Sequence, residues 1–254
     1  MKEDLLQASS ERAGSGGSGA QTAAQDRLVV ALDFPSNGDA LAMVDRLEGV
    51  CKWFKVGMEL YYAAGNGLIE TLRGRGFEVF LDLKLHDIPN TVAGAVRSVA
   101  TTGASLLTIH AGGGAAMLRA AAEAAHGPGA PRLLAVTVLT SMDAAALVGV
   151  GVSASPAEQV LRLAKLAQES GIGGMVCSAE EVGALRSALG NEVILVTPGI
   201  RSAGDAVGDQ RRVATAAEAR GRGASMLVVG RPITKAEDPA AAAQRILAEI
   251  CSAE

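Results

Sequence analysis

Residues 80–91, FLDLKLHDIPNT, place two acids and a base close together: Asp82, Lys84 and Asp87. Side chains on a strand alternate between faces, so Leu81, Leu83 and Leu85 share one face while Phe80, Asp82 and Lys84 share the other. The leucine face reads as a wall packed against covering elements, which turns Asp82 and Lys84 toward an interior. Opposite charges in a low-dielectric interior add little stability and are costly when unpaired. The pattern is that of acid–base groups facing a site rather than of a surface ion pair on an edge strand. Pro89 then ends any regular ladder.

The elements that must carry these groups follow one rhythm from Arg27 onward. Short β-branched or Leu-rich runs at 28–33, 52–56, 77–84, 105–110, 132–138, 173–177, 192–197 and 224–229 predict strands. Between them, stretches of helical period predict helices over 38–48, 59–73, 90–101, 113–125, 156–169, 179–188, 211–221 and 238–251. Ser155-Pro156 and Asp238-Pro239 put proline at the first helical position behind a capping side chain. Gly103, Gly171, Gly190 and Gly223 come where a left-handed residue closes a helix. Eight such units predict an α/β fold, a single-domain (β/α)8 TIM barrel over 27–254; a doubly wound sheet is the alternative. No GxGxxG follows the first strand, so a dinucleotide-binding reading lacks its fingerprint. Residues 1–26, with the Gly/Ser-rich stretch 10–20, read as a flexible N-terminal tail.

Composition narrows the function classes. Hydrophobic residues make up 49% and aromatic ones 3%, so the core is built from Ala, Val, Leu and Ile, which suits parallel strands under Ala-rich helices. A net charge of −4 without any Lys/Arg block argues against a nucleic-acid partner and leaves room for a local basic pocket. Cys51, Cys177 and Cys251 are odd in number and widely spaced, the pattern of reduced thiols in a cytoplasmic protein. His86, His110 and His126 have no ligand spacing, so no metal site is expected. No apolar run approaches the roughly 18 residues of a membrane span, and the N-terminus lacks the layout of a secretion signal.

In a (β/α)8 barrel, chemistry gathers at the C-terminal ends of the strands. Polar residues collect there: Asp33 after strand 1, Lys55 on strand 2, Asp82, Lys84 and Asp87 on and after strand 3, and His110 on strand 4. They continue with Thr140-Ser141 after strand 5, Thr197-Pro198-Gly199-Ile200-Arg201 at strand 7 and Gly230-Arg231 at strand 8. The loops after strands 7 and 8 are where such barrels hold phosphate. Gly199 and Gly230 let backbone N–H groups approach an anion, Arg231 offers a guanidinium fork, and Gln210 adds an amide donor. The polar stretch 199–211 has the composition of a lid.

The stretches VVALDF (29–34), KVGMEL (55–60), FLDLKLHDIPNT (80–91), IHAGGG (109–114), AVTVLTSM (135–142), MVCSAEE (175–181), VTPGIR (196–201), GDQRR (208–212) and VVGRPIT (228–234) closely resemble the orotidine 5'-phosphate decarboxylase family. The resemblance covers everything after the tail, in order. It implies cofactor-free conversion of orotidine 5'-phosphate to uridine 5'-phosphate, the last step of pyrimidine nucleotide synthesis, in a homodimer with shared sites. It implies Lys84 as proton donor to C6, Asp82 facing the substrate carboxylate, and Asp87 reaching Lys84 from the neighbouring subunit. Asp33 and Lys55 would meet the ribose hydroxyls, Thr91 would cross the interface, and Thr140 with Ser141 would meet the pyrimidine. Pro198 would adjoin the substrate, Gln210, Gly230 and Arg231 would bind phosphate, and Arg201 would sit at the base of the lid. His86 and His110 take structural or supporting roles.

Two other readings compete. A Mg2+-dependent keto-gulonate phosphate decarboxylase or hexulose phosphate synthase would share the DxKxxD strand but would want a carboxylate after strand 2, where this chain has Lys55. Glu59 lies four residues later, on the following helix. A non-catalytic nucleotide-phosphate-binding barrel would not need the charged array intact.

Overall fold

The computed structural model describes residues 23–127, 129–201 and 213–253. Strands β1 (Leu28–Leu32), β2 (Trp53–Gly57), β3 (Glu78–Leu85), β4 (Leu106–His110), β5 (Arg132–Val136), β6 (Gly174–Val176), β7 (Ile194–Thr197) and β8 (Met226–Val229) pair in sequence order, all parallel. β8 returns to pair with β1 and closes the barrel. The expected (β/α)8 architecture is the one observed.

Strands buried on both faces read as continuous apolar runs, and their alternation sorts them into two cores. Val29, Ala31, Phe80, Leu106, Leu134 and Val196 fill the barrel interior. Leu28, Val30, Leu81, Leu107, Ala135 and Leu195 point outward into the larger cluster beneath the helices, with Leu83 and Leu85 packed at its edge. The division of β3 into a leucine wall and an inward Phe80 face is therefore present as expected.

Local signals start and stop the helices. Ser155 and Glu158 form a reciprocal capping box ahead of Pro156–Glu169, and the Asp238 carboxylate accepts from Ala241 N at 3.0 Å ahead of Pro239–Ser252. Where one helix is predicted over 59–73, two form, Met58–Ala64 and Asn66–Gly74. Gly65 between them has φ 66°, outside helical space, and its N–H bonds Tyr61 O. The short helix Ala144–Gly149, capped by Asp143, has too few residues to declare a period in sequence. Residues 23–26, assigned to the tail by composition, pack on the barrel. Ala24 is buried, Gln25 donates to Val50 O at 3.0 Å, and Asp26 pairs with Lys52. Among the described residues no helix is long and apolar enough to cross a membrane.

Arg186, on the helix Val182–Leu189, ties the end of the barrel opposite the site. It donates to the carbonyls of Gly190, Asn191, Val193 and Gly223 and to Ser225 Oγ, at 2.8–3.1 Å. These acceptors flank β7 and β8, whose other ends carry the candidate anion site. Arg186→Met is expected to lower the unfolding free energy by about 2–4 kcal/mol in urea denaturation. Arg186→Lys should recover little of this, because an ammonium cannot reach acceptors spread around a planar fork.

Candidate active site

β3 departs from regular pairing where its charges begin. Its register on β4 runs Leu81 to Leu107 and then Leu85 to Ile109, so four steps of β3 oppose two of β4. This is a bulge of the kind that re-aims side chains beside active sites. Within it Lys84 has φ 50°, the only non-glycine residue with positive φ among those described. A left-handed backbone costs an L-residue about 1–2 kcal/mol. The Lys84 N–H is taken by Thr108 Oγ1 at 2.8 Å, and the same hydroxyl donates to Asp82 Oδ1 at 3.0 Å. Lys84 Nζ reaches that Oδ1 at 2.8 Å.

The chain of charges extends across β2 to β1. Lys55 Nζ lies 3.6 Å from Asp82 Oδ2 and 3.2 Å from Asp33 Oδ1. Asp33, Lys55, Asp82 and Lys84 thus alternate in sign around one quadrant of the rim. Gly57 makes room for this fold of the Lys55 side chain: a Cβ there would stand 3.1 Å from Lys55 Nζ and 3.7 Å from Asp33 Oδ1. Burial pushes the Asp82 carboxyl up, but the Lys55 and Lys84 charges, with hydrogen bonds from Lys84 and Thr108, outweigh it. They hold Asp82 below the ordinary carboxylate range.

The array forms one wall of a cavity of about 700 Å³ at the C-terminal end of the barrel. Phe80, Val136, Val138 and Val176 supply apolar sides of the right character for a flat ring. Beyond the Asp33 end of the array, after β7 and the neighbouring β8, stand Pro198, Gly199, Arg201, Gly230, Arg231 and Lys235; a Cβ on Gly230 would lie 3.6 Å from Asp33 Oδ2. Gly199 has φ 83°, and a short bridge of Gly199 and Arg201 backbone with Ala214 pins the stem of the following loop. Gln210, and positions 202–211 of the lid expected over 199–211, lie outside the described residues.

Of the residues singled out from sequence, the cavity brings together Asp33, Lys55, Asp82, Lys84, Thr140, Pro198, Arg201, Gly230 and Arg231. Ser141, Asp87 and Thr91 are exposed and are not among its lining residues. The strand ends at Val136, so four further residues intervene before Ser141, whose side chain is exposed. Asp87 caps its own chain, accepting from Ile88 N. His86 and His110 stack with ring centroids 5.1 Å apart, outside the cavity lining. Burial, then His86 and Lys84, push the His110 imidazole below its usual range. Pattern alone did not mark Thr108, Gly57 or Lys235. Thr108 could have been found as the polar residue within the otherwise apolar run 106–109; Gly57 and Lys235 carry no such signal.

A (β/α)8 barrel with an alternating carboxylate–ammonium array at one side of its mouth and guanidinium groups at the strand 7–8 side is the class defined by this geometry. The chain belongs to the Orotidine 5'-phosphate decarboxylase / HUMPS family, whose model matches residues 26–246. It is 56% identical over 228 residues to the orotidine 5'-phosphate decarboxylase of Halorhodospira halophila, covering 89% of this chain and 97% of the relative. The Nitrosococcus oceani enzyme of that name is 52% identical, with 89% and 98% covered. The crystal structure of orotidine 5'-phosphate decarboxylase from Lactobacillus acidophilus superposes with a TM-score of 0.79 at 40% identity, covering 89% of this chain and 99% of that one.

The depressed Asp82 pKa sets a pH signature. A carboxylate whose folded pKa lies below its unfolded value stabilises the fold above about pH 4, and that contribution is lost as pH falls toward the folded pKa. Asp82→Asn removes the carboxylate and leaves Lys55 and Lys84 without it. The difference in unfolding free energy between wild type and Asp82→Asn should be constant from about pH 5 to 7 and shrink below about pH 4. Urea denaturation across that range measures it.

Proposed function

We infer that this chain decarboxylates orotidine 5'-phosphate to uridine 5'-phosphate without a cofactor. The observation that carries the reading is one cavity lined by both the Asp33–Lys55–Asp82–Lys84 array and the residues Arg201 and Arg231 that follow β7 and β8, in a member of this family. In the reaction the C6–carboxylate bond breaks, CO2 leaves, and the electron pair stays on C6 in an orbital the ring delocalises poorly. Lys84 is the proton donor: its ammonium stabilises that pair and a proton passes from Nζ to C6, after which the amine is reprotonated from solvent. Asp82 faces the departing carboxylate, and its 2.8 Å contact with Lys84 supports an orienting role.

The remaining roles follow the same axis. Asp33 and Lys55 take the ribose hydroxyls, Thr140 the pyrimidine, with Pro198 alongside, and Arg201, Gln210, Gly230 and Arg231 the phosphate. Phosphate contacts far from C6 supply binding energy that positions the ring. The Lys55 ammonium occupies the space between two carboxylates where a divalent cation would be held, which favours this reaction over a Mg2+-dependent one.

The protein acts as a homodimer in which Asp87 and Thr91 complete the partner's site. Their exposure supports this, as do exposed Met58, Tyr62 and Ile88 beside the ends of β2 and β3, large apolar groups suited to an interface. Cys51, Cys177 and Cys251, none of them in a disulfide among the described residues, support a cytoplasmic setting.

Purified protein should remove the absorbance of orotidine 5'-phosphate at an unchanged rate in EDTA. Lys84→Ala should lose at least about 10⁴-fold in kcat while binding uridine 5'-phosphate within about tenfold of wild type. Activity abolished by EDTA, or near-normal turnover by Lys84→Ala, would overturn the reading. Mixing inactive Lys84→Ala and Asp87→Ala chains should restore turnover, since a mixed dimer holds one site with both residues; no recovery would place each site within one chain.

A further inference from the structure

Thr108 is the one fully buried polar side chain on β4, and its hydroxyl has two partners that belong to the site. The inward positions of β4 are Leu106 and Thr108, and Leu106 belongs to the apolar barrel core. A valine at 108 would continue that core with almost the same shape. The hydroxyl accepts the Lys84 N–H at 2.8 Å and donates to Asp82 Oδ1 at 3.0 Å, so both its donor and one lone pair are committed. Thr108 is not among the residues lining the cavity. Its β-branched side chain restricts χ1, which fixes where the hydroxyl points.

We propose that Thr108 is a positioning residue that sets the Lys84 ammonium against Asp82, by holding the Lys84 peptide in its left-handed conformation and the Asp82 carboxylate in place with one hydroxyl. The proposal rests on the reading of Lys84 as proton donor. Lys84 stands in a bulge where β4 is two residues short of β3, and the hydroxyl supplies the acceptor for its N–H there. Without that acceptor the N–H is left unpaired next to a buried carboxylate, and the left-handed peptide loses the contact that offsets its strain. A small displacement of the ammonium from its line to the reacting carbon is costly to rate and nearly silent in binding.

The test compares Thr108→Val with Thr108→Ser. The Val variant should lose about 10–100-fold in kcat with KM within about threefold of wild type, because the hydroxyl acts through Lys84 and not on substrate. Thr108→Ser, which returns the hydroxyl, should recover kcat to within about tenfold of wild type. Thr108→Cys, with a poor acceptor at the same position, replaces the Val variant if that protein does not fold. A wild-type kcat in Thr108→Val, or a Ser variant no better than Val, overturns the proposal. Crystal structures of the Val and Ser variants read the geometry without turnover: Lys84 should leave positive φ in the first and keep it in the second. Lys84 keeping both its φ and its Asp82 contact in Thr108→Val overturns the proposal as well. Wild-type protein inactive on orotidine 5'-phosphate would strike the decarboxylase reading instead, and the crystal structures would still decide the positioning claim.

Discussion

The Asp82 carboxylate sits between two ammonium groups at the C-terminal mouth of a hydrophobic barrel, and much of the molecule is arranged around keeping it charged. Desolvation pushes its pKa up. Lys55 on one side and Lys84 on the other reverse that outcome, at 3.6 and 2.8 Å. A partly buried cluster of this kind is a poor stabiliser, since well-packed apolar residues would serve the fold as well or better. Its members must therefore be held by structure that owes nothing to their own attraction. The closed barrel provides this, because β1, β2 and β3 are fixed in register by ladders whose apolar faces are buried inside and out.

Much of that scaffold was legible in the residues. Parallel strands covered on both faces must be apolar throughout, and the eight runs stand out for that reason. The charges at 82 and 84 were legible as inward-facing because three leucines alternate with them. The break at Gly65 was hidden, since a single glycine in a helical pattern is usually tolerated at modest cost, and only its φ of 66° shows that the chain turns there. The bulge in β3 was hidden too. Alternation places Asp82 and Lys84 on one face of an ideal strand, and it cannot reveal that their placement comes with four steps against two and a left-handed lysine. Asp87, Thr91 and Ser141 show a further limit: sequence proximity to a strand end does not say whether a side chain lines the cavity.

The two sides of the cavity are built from different materials. The array side consists of Lys55, Asp82 and Lys84 on strands and Asp33 directly after β1, with Gly57 omitting a Cβ so that Lys55 can fold over Asp33. The guanidinium side rests on segments that follow strands: Gly199 in positive φ, the Arg201–Ala214 bridge and the turn that begins at Gly230. Strand residues locate charge to fractions of an ångström because their backbones cannot shift without breaking a ladder. Loop residues can adjust around an anion that arrives with its own charge. A division of this sort suits a reaction in which the reacting carbon demands exact electrostatics and the remote phosphate supplies binding energy.

Strain at Lys84 fits the same logic. An L-residue with φ 50° persists only where its surroundings over-determine it. Here Leu81 and Leu85 clamp the two ends of the bulge by pairing with β4, Thr108 holds the peptide N–H, and Asp82 holds the ammonium. Each contact is within an ordinary hydrogen-bond or ladder energy, and together they exceed the about 1–2 kcal/mol that the backbone conformation costs. A regular strand would relieve the strain, but it would also redirect every side chain from Asp82 to Leu85. Holding the ammonium beside Asp82 and sparing the backbone are therefore competing demands on one residue, and the barrel resolves them in favour of the ammonium.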